Sequence, residues 1–331
     1  MSERLSLQRN ALAGVIRANL GIIVVIAIIG AVLSALSPVF LTPNNLRTVL
    51  LQITTNMYIA LGMTLVMILG GIDLSVGSIV AMSGTLTVGF MAFNGVPLAL
   101  ALALGLAVGG LVGLVNGLVV AYFKLPSFIV TLATLNVARG IAYVYSGGHS
   151  TRMMDPVFTG IGSGYLWVFP LPVVYMGALI AIFVVLLNRT KFGTYVYAIG
   201  GNRESARLSG VPIKRVEIIT FTISGLLAAF AGLVLSARMF SGQPSVGIGY
   251  ELDAIAACVL GGASLSGGIG RISGTFFGAI VIGVISNGLT LINVSSFWQL
   301  IVKGVIILIA VVIDSMKGRP NVFRSLISRP R

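Results

Sequence analysis

The chain has 331 residues, of which 57% are hydrophobic and 9% charged, with a mean hydropathy of +1.06. Soluble domains carry about 25% charged residues, and 21 basic plus 8 acidic side chains cannot coat a 34.5 kDa globule in water. A soluble enzyme, a secreted scaffold and a disordered tail are therefore excluded. The net charge of +13 does not point to nucleic acid either, because Lys and Arg sit in short gaps between long apolar runs, the pattern that orients membrane helices. The runs are continuous rather than alternating, which excludes a β-barrel. The expectation is an all-α polytopic membrane protein in contact with lipid.

A crossing helix needs about 20 mostly apolar residues. The first span is expected near 18–37, ending at Ser37-Pro38; it is longer than a signal-peptide core, lacks a cleavage site and reads as a retained helix. Further spans follow at about 46–69, 76–95, 97–122 and 126–146, with Pro97 and Pro126 suited to helix starts. Residues 147–170 are polar and Gly-rich and hold no span. A sixth span at 171–188 leads into a basic stretch at 189–215, then a seventh at 216–237 and a non-helical break at 239–250. The last three lie near 252–267, 273–292 and 297–314. Ten helices put both termini on one side.

Placing the termini inside puts sixteen of the 21 basic residues in the cytoplasm, among them Arg203, Arg207, Lys214, Arg215 and Arg271. Only Arg47, Arg152 and Arg238 fall outside or at the outer boundary, and Arg139 and Lys303 fall within spans. That asymmetry supports cytoplasmic termini. The organisation is then a cytoplasmic segment at 1–17, a transmembrane domain at 18–316 with a cytoplasmic loop at 189–215, and a basic tail at 317–331.

Forty-two glycines would weaken a soluble helical protein but allow close backbone approach in a bilayer. Gly105, Gly109, Gly113 and Gly117 recur every four residues on one face, as a helix-packing seam or an interface for a second copy. Gly70-Gly71-Ile72-Asp73-Leu74-Ser75-Val76-Gly77 also matches Gly261-Gly262-Ala263-Ser264-Leu265-Ser266-Gly267-Gly268, a hint of duplicated, parallel halves. The single cysteine, Cys258, sits in an apolar run and reads as a packing residue.

No catalytic or metal-binding constellation is present: His149 is the only histidine, and no cysteine cluster or P-loop exists. No carboxylate lies in mid-span, which argues against an ion-coupled sugar carrier, kept as the alternative class. Within the basic stretch, Gly200-Gly201-Asn202 leads into Arg203-Glu204-Ser205-Ala206-Arg207-Leu208-Ser209 and Gly210 before Pro212. Asn202 suits an N-cap, Glu204 the first turn and Gly210 the C′ position, so a two-turn helix outside the membrane is expected. A solvated loop or an ATPase-docking element are its two readings.

Gly71-Ile72-Asp73-Leu74-Ser75-Val76-Gly77-Ser78, Ala198-Ile199-Gly200-Gly201-Asn202, Arg207-Leu208-Ser209-Gly210-Val211 and Gly249-Tyr250-Glu251-Leu252-Asp253-Ala254 resemble the membrane subunits of bacterial ABC importers for monosaccharides, the ribose and galactose permeases above all. The likeness spans about residues 20–316 and is weak as to the sugar. It implies a non-catalytic inner-membrane subunit, a second permease copy, a tandem-domain cytoplasmic ATPase that binds ATP and Mg, and a periplasmic sugar-binding protein, with no cofactor or metal on this chain. It also implies that 200–210 meets the ATPase. Ribose is the first expectation, then galactose or another pentose or hexose. Asn56, Tyr58, Asn116, Asn136, Gln243, Asn287, Trp298 and Gln299 are the pathway candidates, because stripped sugar hydroxyls need partners and a ring needs a flat face. Asp73, Arg139, Asp253 and Lys303 are expected as structural charge locks.

Overall fold

The computed structural model describes residues 14, 16, 17 and 19–317. The expected cytoplasmic tail beyond Lys317, most of the 1–17 segment and the side chain of Asp314 lie outside the described residues. The helices are α1 (Leu20–Leu36), α2 (Pro43–Ile68), α3 (Val76–Ala92), α4 (Leu98–Phe123), α5 (Ser127–Ser146), α6 (Pro156–Ser163), α7 (Leu171–Arg189), α8 (Lys191–Gly201), α9 (Arg203–Leu208), α10 (Ile213–Arg238), α11 (Tyr250–Leu260), α12 (Ile272–Leu291) and α13 (Ser296–Lys317). Six of them (α2, α4, α5, α7, α10 and α12) are long and apolar enough to cross a membrane; α1, α3 and the 297–309 stretch of α13 are shorter apolar helices.

The span expected at 252–267 is a half-helix. At about 1.5 Å per residue the 11 residues of α11 cover roughly half a hydrocarbon core. It stops where Gly262 turns to φ +85°, with Gly262 N–H donating to Val259 O and Ala263 N–H to Cys258 O. The helix α2 ends in the same manner at Gly70 (φ +89°), with Gly70 N–H on Met67 O and Gly71 N–H on Val66 O. The two sequence-similar segments are thus matching helix-ending turns, and Gly268 N–H donates to Ile68 O at 2.8 Å to join them.

Residues 147–170 carry more structure than a loop. The strand β1 (Thr151–Arg152) pairs antiparallel with β4 (Ser241–Gly242), and β2 (Tyr165–Leu166) pairs with β3 (Phe169–Pro170). Between them Asp155 caps α6 by accepting from Phe158 N at 2.8 Å, with Pro156 at the first helical position. The pairing of β1 with β4 ties this segment to the chain leaving α10.

The body is organised around α2 and α10. From Ile53 to Ile68 the helix α2 is buried almost throughout, as a segment enclosed by other helices must be. Against α10 lies the glycine row of α4. A Cβ at Gly109 would overlap Ala229 and reach 2.7 Å from Gly225 O; one at Gly117 would lie 2.7 Å from Ile218 Cα. Gly113 faces the Phe221 carbonyl, and Gly105 faces Thr87 of α3. The row is therefore an internal seam, where close approach supplies the dispersion contact that a bilayer otherwise leaves weak. By contrast, α1, α5, α7 and α13 keep large apolar side chains exposed.

Gly109→Leu is expected to prevent folded protein from accumulating, because its branch has backbone on one side and a helix on the other. Gly177→Ala on α7, where nothing lies within 4 Å, should instead raise helix stability by about 1 kcal/mol. The yield of folded protein in membranes reads the first, and thermal unfolding of purified protein in detergent reads the second.

Candidate functional site

Two regions concentrate the polar groups. The first is the corner built by α8 and α9. Thr190 caps α8 by accepting from Gly193 N, and Asn202 caps α9 by accepting from Ser205 N at 2.8 Å. Glu204 occupies the first turn of α9 and pairs with Arg207, Nη2 to Oε1 at 2.5 Å; both side chains are exposed. The bonded guanidinium holds the Glu204 carboxyl below the ordinary glutamate range. Ala206 is buried beneath, Leu208 is 77% exposed at the tip, and Gly210 closes the helix at φ +77°. The sequence reading anticipated α9 and its caps but not α8.

This corner is fastened at three points. Arg203 grips the buried Glu217 of α10 with both guanidinium nitrogens, Nη2 to Oε2 at 3.2 Å. Tyr197 Oη donates to Gly270 O at 2.7 Å. Gly200 sits so close to Ile68 O and Gly268 N that a Cβ there would overlap both, whereas Gly201 has nothing within 4 Å. Arg203 thus ties α9 to α10, while Tyr197 and Gly200 tie α8 to the 261–271 segment and to the end of α2. Beside it Tyr122, Lys124, Arg203, Arg207, Lys214 and Arg215 line a basic groove of about 900 Å3, with Lys214 Nζ 4.3 Å over the Tyr122 ring.

The second region is the interior around the 239–249 break. Arg139 of α5 donates Nη1 to Pro244 O at 2.7 Å and to Val246 O at 2.6 Å. Its partners are backbone carbonyls rather than a carboxylate, which satisfies chain that has left helical geometry. Gly247 (φ +78°) lets the break lie against Gly77, and Gly249 (φ +83°) precedes α11. Lys303 of α13 pairs with Asp253 of α11 at 2.8 Å, their side chains 24% and 12% exposed. Asp73 meets no cation among the described residues. It accepts from Ser75 N at 3.0 Å, Ser75 Oγ at 2.6 Å and Ser224 Oγ at 2.7 Å, and Asn116 Nδ2 donates to Ser75 Oγ at 3.0 Å. With Leu74 N on Thr131 Oγ1 and Ile72 N on Ser127 Oγ, these bonds hold the 70–75 segment to α4, α5 and α10.

A cavity of about 180 Å3 opens between α2, α10, α11, α12 and α13, lined by Gln52, Asn56, Arg238, Tyr250, Asp253, Ser286 and Lys303 among others. Of the eight sequence-derived pathway candidates, Asn56 lines it. Gln243 lies in the break, its Nε2 on Ser241 Oγ at 3.0 Å, and Asn136 is exposed on α5 with Nδ2 on Leu132 O. The others lie elsewhere. Tyr58 is fully buried, donates to Pro172 O at 2.5 Å and stacks edge-on with Phe230. Asn287 exchanges amide bonds with Asn45 at 3.0 and 2.9 Å, and Gln299 donates to Val294 O at 3.0 Å. Trp298 is 63% exposed at the start of α13. Gln52, Arg238, Tyr250 and Ser286 are not among the pathway residues expected from the sequence, although Gln52 lies one helical turn before Asn56 on the same face of α2. Cys258 is buried, 3.3 Å from Thr64 Oγ1.

A family model described as "Branched-chain amino acid transport system / permease component" matches residues 45–311. The chain belongs to this family of transport permeases. The ribose import permease protein RbsC of Bacillus subtilis is 48% identical over 301 residues, covering 90% of this chain and 92% of that protein. Its Escherichia coli K12 counterpart is 43% identical, covering 89% and 93%. The L-arabinose transport system permease protein AraH of E. coli K12 is also 43% identical, covering 90% and 91%. No solved structure matches. Family membership and the apolar helices make this a multi-pass membrane protein.

Removing one member of a buried ion pair strands the other charge, at a cost of about 3–5 kcal/mol. Lys303→Met alone should therefore destabilise the protein strongly, and Lys303→Met combined with Asp253→Leu should recover much of the loss. Unfolding of Lys303→Met, Asp253→Leu and the double variant in mixed micelles reads the coupling between the two sites.

Proposed function

We propose that this chain is the inner-membrane permease subunit of an ATP-driven importer that takes ribose from a periplasmic binding protein. The observation that carries the reading is the 48% identity to a ribose import permease over 90% of the chain, and the relatives of that kind are sugar permeases although the family model takes its description from amino-acid transport. ATP and Mg would be bound by a separate tandem-domain ATPase, and this chain would carry no catalytic group and no cofactor.

Ten crossings fit the architecture once the eighth is taken as composite, the 239–249 break entering and α11 completing it. Even parity then puts both termini on one side, and the distribution of basic residues makes that side the cytoplasm. Asn19 Nδ2, just before α1, reaches Ser273 Oγ of α12 at 3.5 Å, on the same end of the bundle as Gly268 and the α8–α9 corner. The basic residues of that corner agree with a cytoplasmic position.

The segment from Gly200 to Gly210 is the ATPase-docking element in this reading. Closure of the ATPase displaces α9, and the Arg203–Glu217, Tyr197–Gly270 and Gly200–Ile68 contacts pass the displacement to α10, the 261–271 segment and α2. A second copy of the chain covers the face where α5 meets the break. Asn136 is exposed there and Gln243 and Glu251 are half-buried, polar groups that lipid solvates poorly. The sugar route runs between the two copies along that polar face, weakly binding so that exit is not slowed.

The test is ATP hydrolysis by the chain co-assembled in lipid with its ATPase and a ribose-binding protein. Ribose-loaded binding protein should stimulate hydrolysis several-fold, and the same chain without the ATPase should transport nothing. Gly200→Val, which forces a side chain into Ile68 O, should abolish stimulation while leaving ribose affinity of the binding protein unchanged. Full stimulation in that variant would reject the coupling role.

A further inference from the structure

The cavity between α2 and α10–α13 lies apart from both the docking corner and the exposed face beside α5, and its chemistry is specific. Neither amide atom of Asn56 nor Oδ1 of Asp253 has a hydrogen-bond partner in the protein, although all three are buried and the Asp253 residue is 92% shielded. Arg238 is committed through Nη1 to Leu51 O at 2.6 Å, and Lys303 to Asp253 Oδ2 at 2.8 Å. Buried polar atoms left without a partner are unfavourable, so the site favours a guest that supplies one.

The lining selects the guest. Two neighbouring cations exclude a metal ion, and among the described residues no three His, Cys, Asp or Glu groups come together. A simple anion offers no hydrogen-bond donor to the uncommitted oxygen of Asp253. An apolar molecule would leave the amide of Asn56 and the Asp253 oxygen unsatisfied. A hydroxyl group, which both donates and accepts, suits Asn56, Asp253, Tyr250 and Ser286 at once. About 180 Å3 holds one monosaccharide ring and not two.

We infer that each copy of the chain holds one monosaccharide in this cavity, a resting site to the side of the route, with Asn56 and Asp253 taking sugar hydroxyls and the Lys303–Asp253 pair forming its wall. The site rests on the sugar-permease reading and adds to it a contribution to sugar selection made by the permease itself.

Equilibrium binding of radiolabelled ribose to the assembled transporter in lipid nanodiscs, with the binding protein left out, reads the site directly. Saturable millimolar binding at one sugar per permease chain is expected, displaced by arabinose and not by the disaccharide maltose. Asn56→Leu should weaken it about tenfold or more, the loss of one to two hydrogen bonds; the milder Ser286→Ala should weaken it measurably. Equal binding by both variants and the unaltered chain overturns the proposal. So does the lack of saturable binding up to about 100 mM, a limit that corresponds to negligible affinity, in a transporter that still imports ribose with ATP. A transporter that imports no ribose under any condition overturns the permease reading and the resting site together.

Discussion

Backbone that leaves helical geometry inside an apolar body has only protein to bond with, and this constraint shapes the interior of the molecule. Two segments meet it in different ways. The 70–75 connection uses hydroxyls: Ser127, Thr131 and Ser224 reach its amides and Asp73, while Asn116 braces Ser75. The 239–249 break uses one guanidinium, which bridges the carbonyls of Pro244 and Val246 from a neighbouring helix. A side chain that looks out of place in an apolar run is thus the condition for having an irregular segment there at all.

The same economy governs contact between helices. Without a hydrophobic drive between them, close approach must supply the attraction, and glycine is the residue that permits it. The α4 row meets α10 backbone to backbone, and Gly200 meets the ends of α2 and of the 261–271 segment in the same way. Such contacts transmit displacement well because no flexible side chain lies between the two backbones. In the proposed transport cycle that stiffness makes a short cytoplasmic helix able to act on the interior.

Much of the fold was legible in the sequence because each helix carries its own apolar length and its own terminators. The helix α9 was legible to the residue, since Asn202, Glu204 and Gly210 act through local geometry. The length of α11 was not. An apolar run continues past Leu260 through Ala263 and Leu265, and only the left-handed turn at Gly262, next to Gly261 where the chain packs backbone to backbone against Gly274, ends the helix early. The helix α8 was hidden in a stretch whose charge drew attention to orientation. Polar side chains were the least legible. Asn56, Asn116 and Asn287 are the same residue type in similar apolar runs, yet one lines a cavity, one braces a loop and one pairs with another asparagine. Their roles depend on which helix lies opposite, a long-range fact that no local pattern holds. Arg139 and Lys303 were recognisable as needing partners, but a carbonyl pair and a carboxylate are equally good answers from sequence alone.

The central claim is that motion at the cytoplasmic corner, driven by a separate ATPase, moves ribose through this chain. Accumulation of radiolabelled ribose in proteoliposomes holding the permease, its ATPase and the ribose-binding protein tests it most directly, with ATP and with imposed proton or sodium gradients supplied in turn. ATP-dependent accumulation that persists when the ion gradients are collapsed is the predicted result. Accumulation driven by an ion gradient in vesicles that contain the permease alone would contradict it.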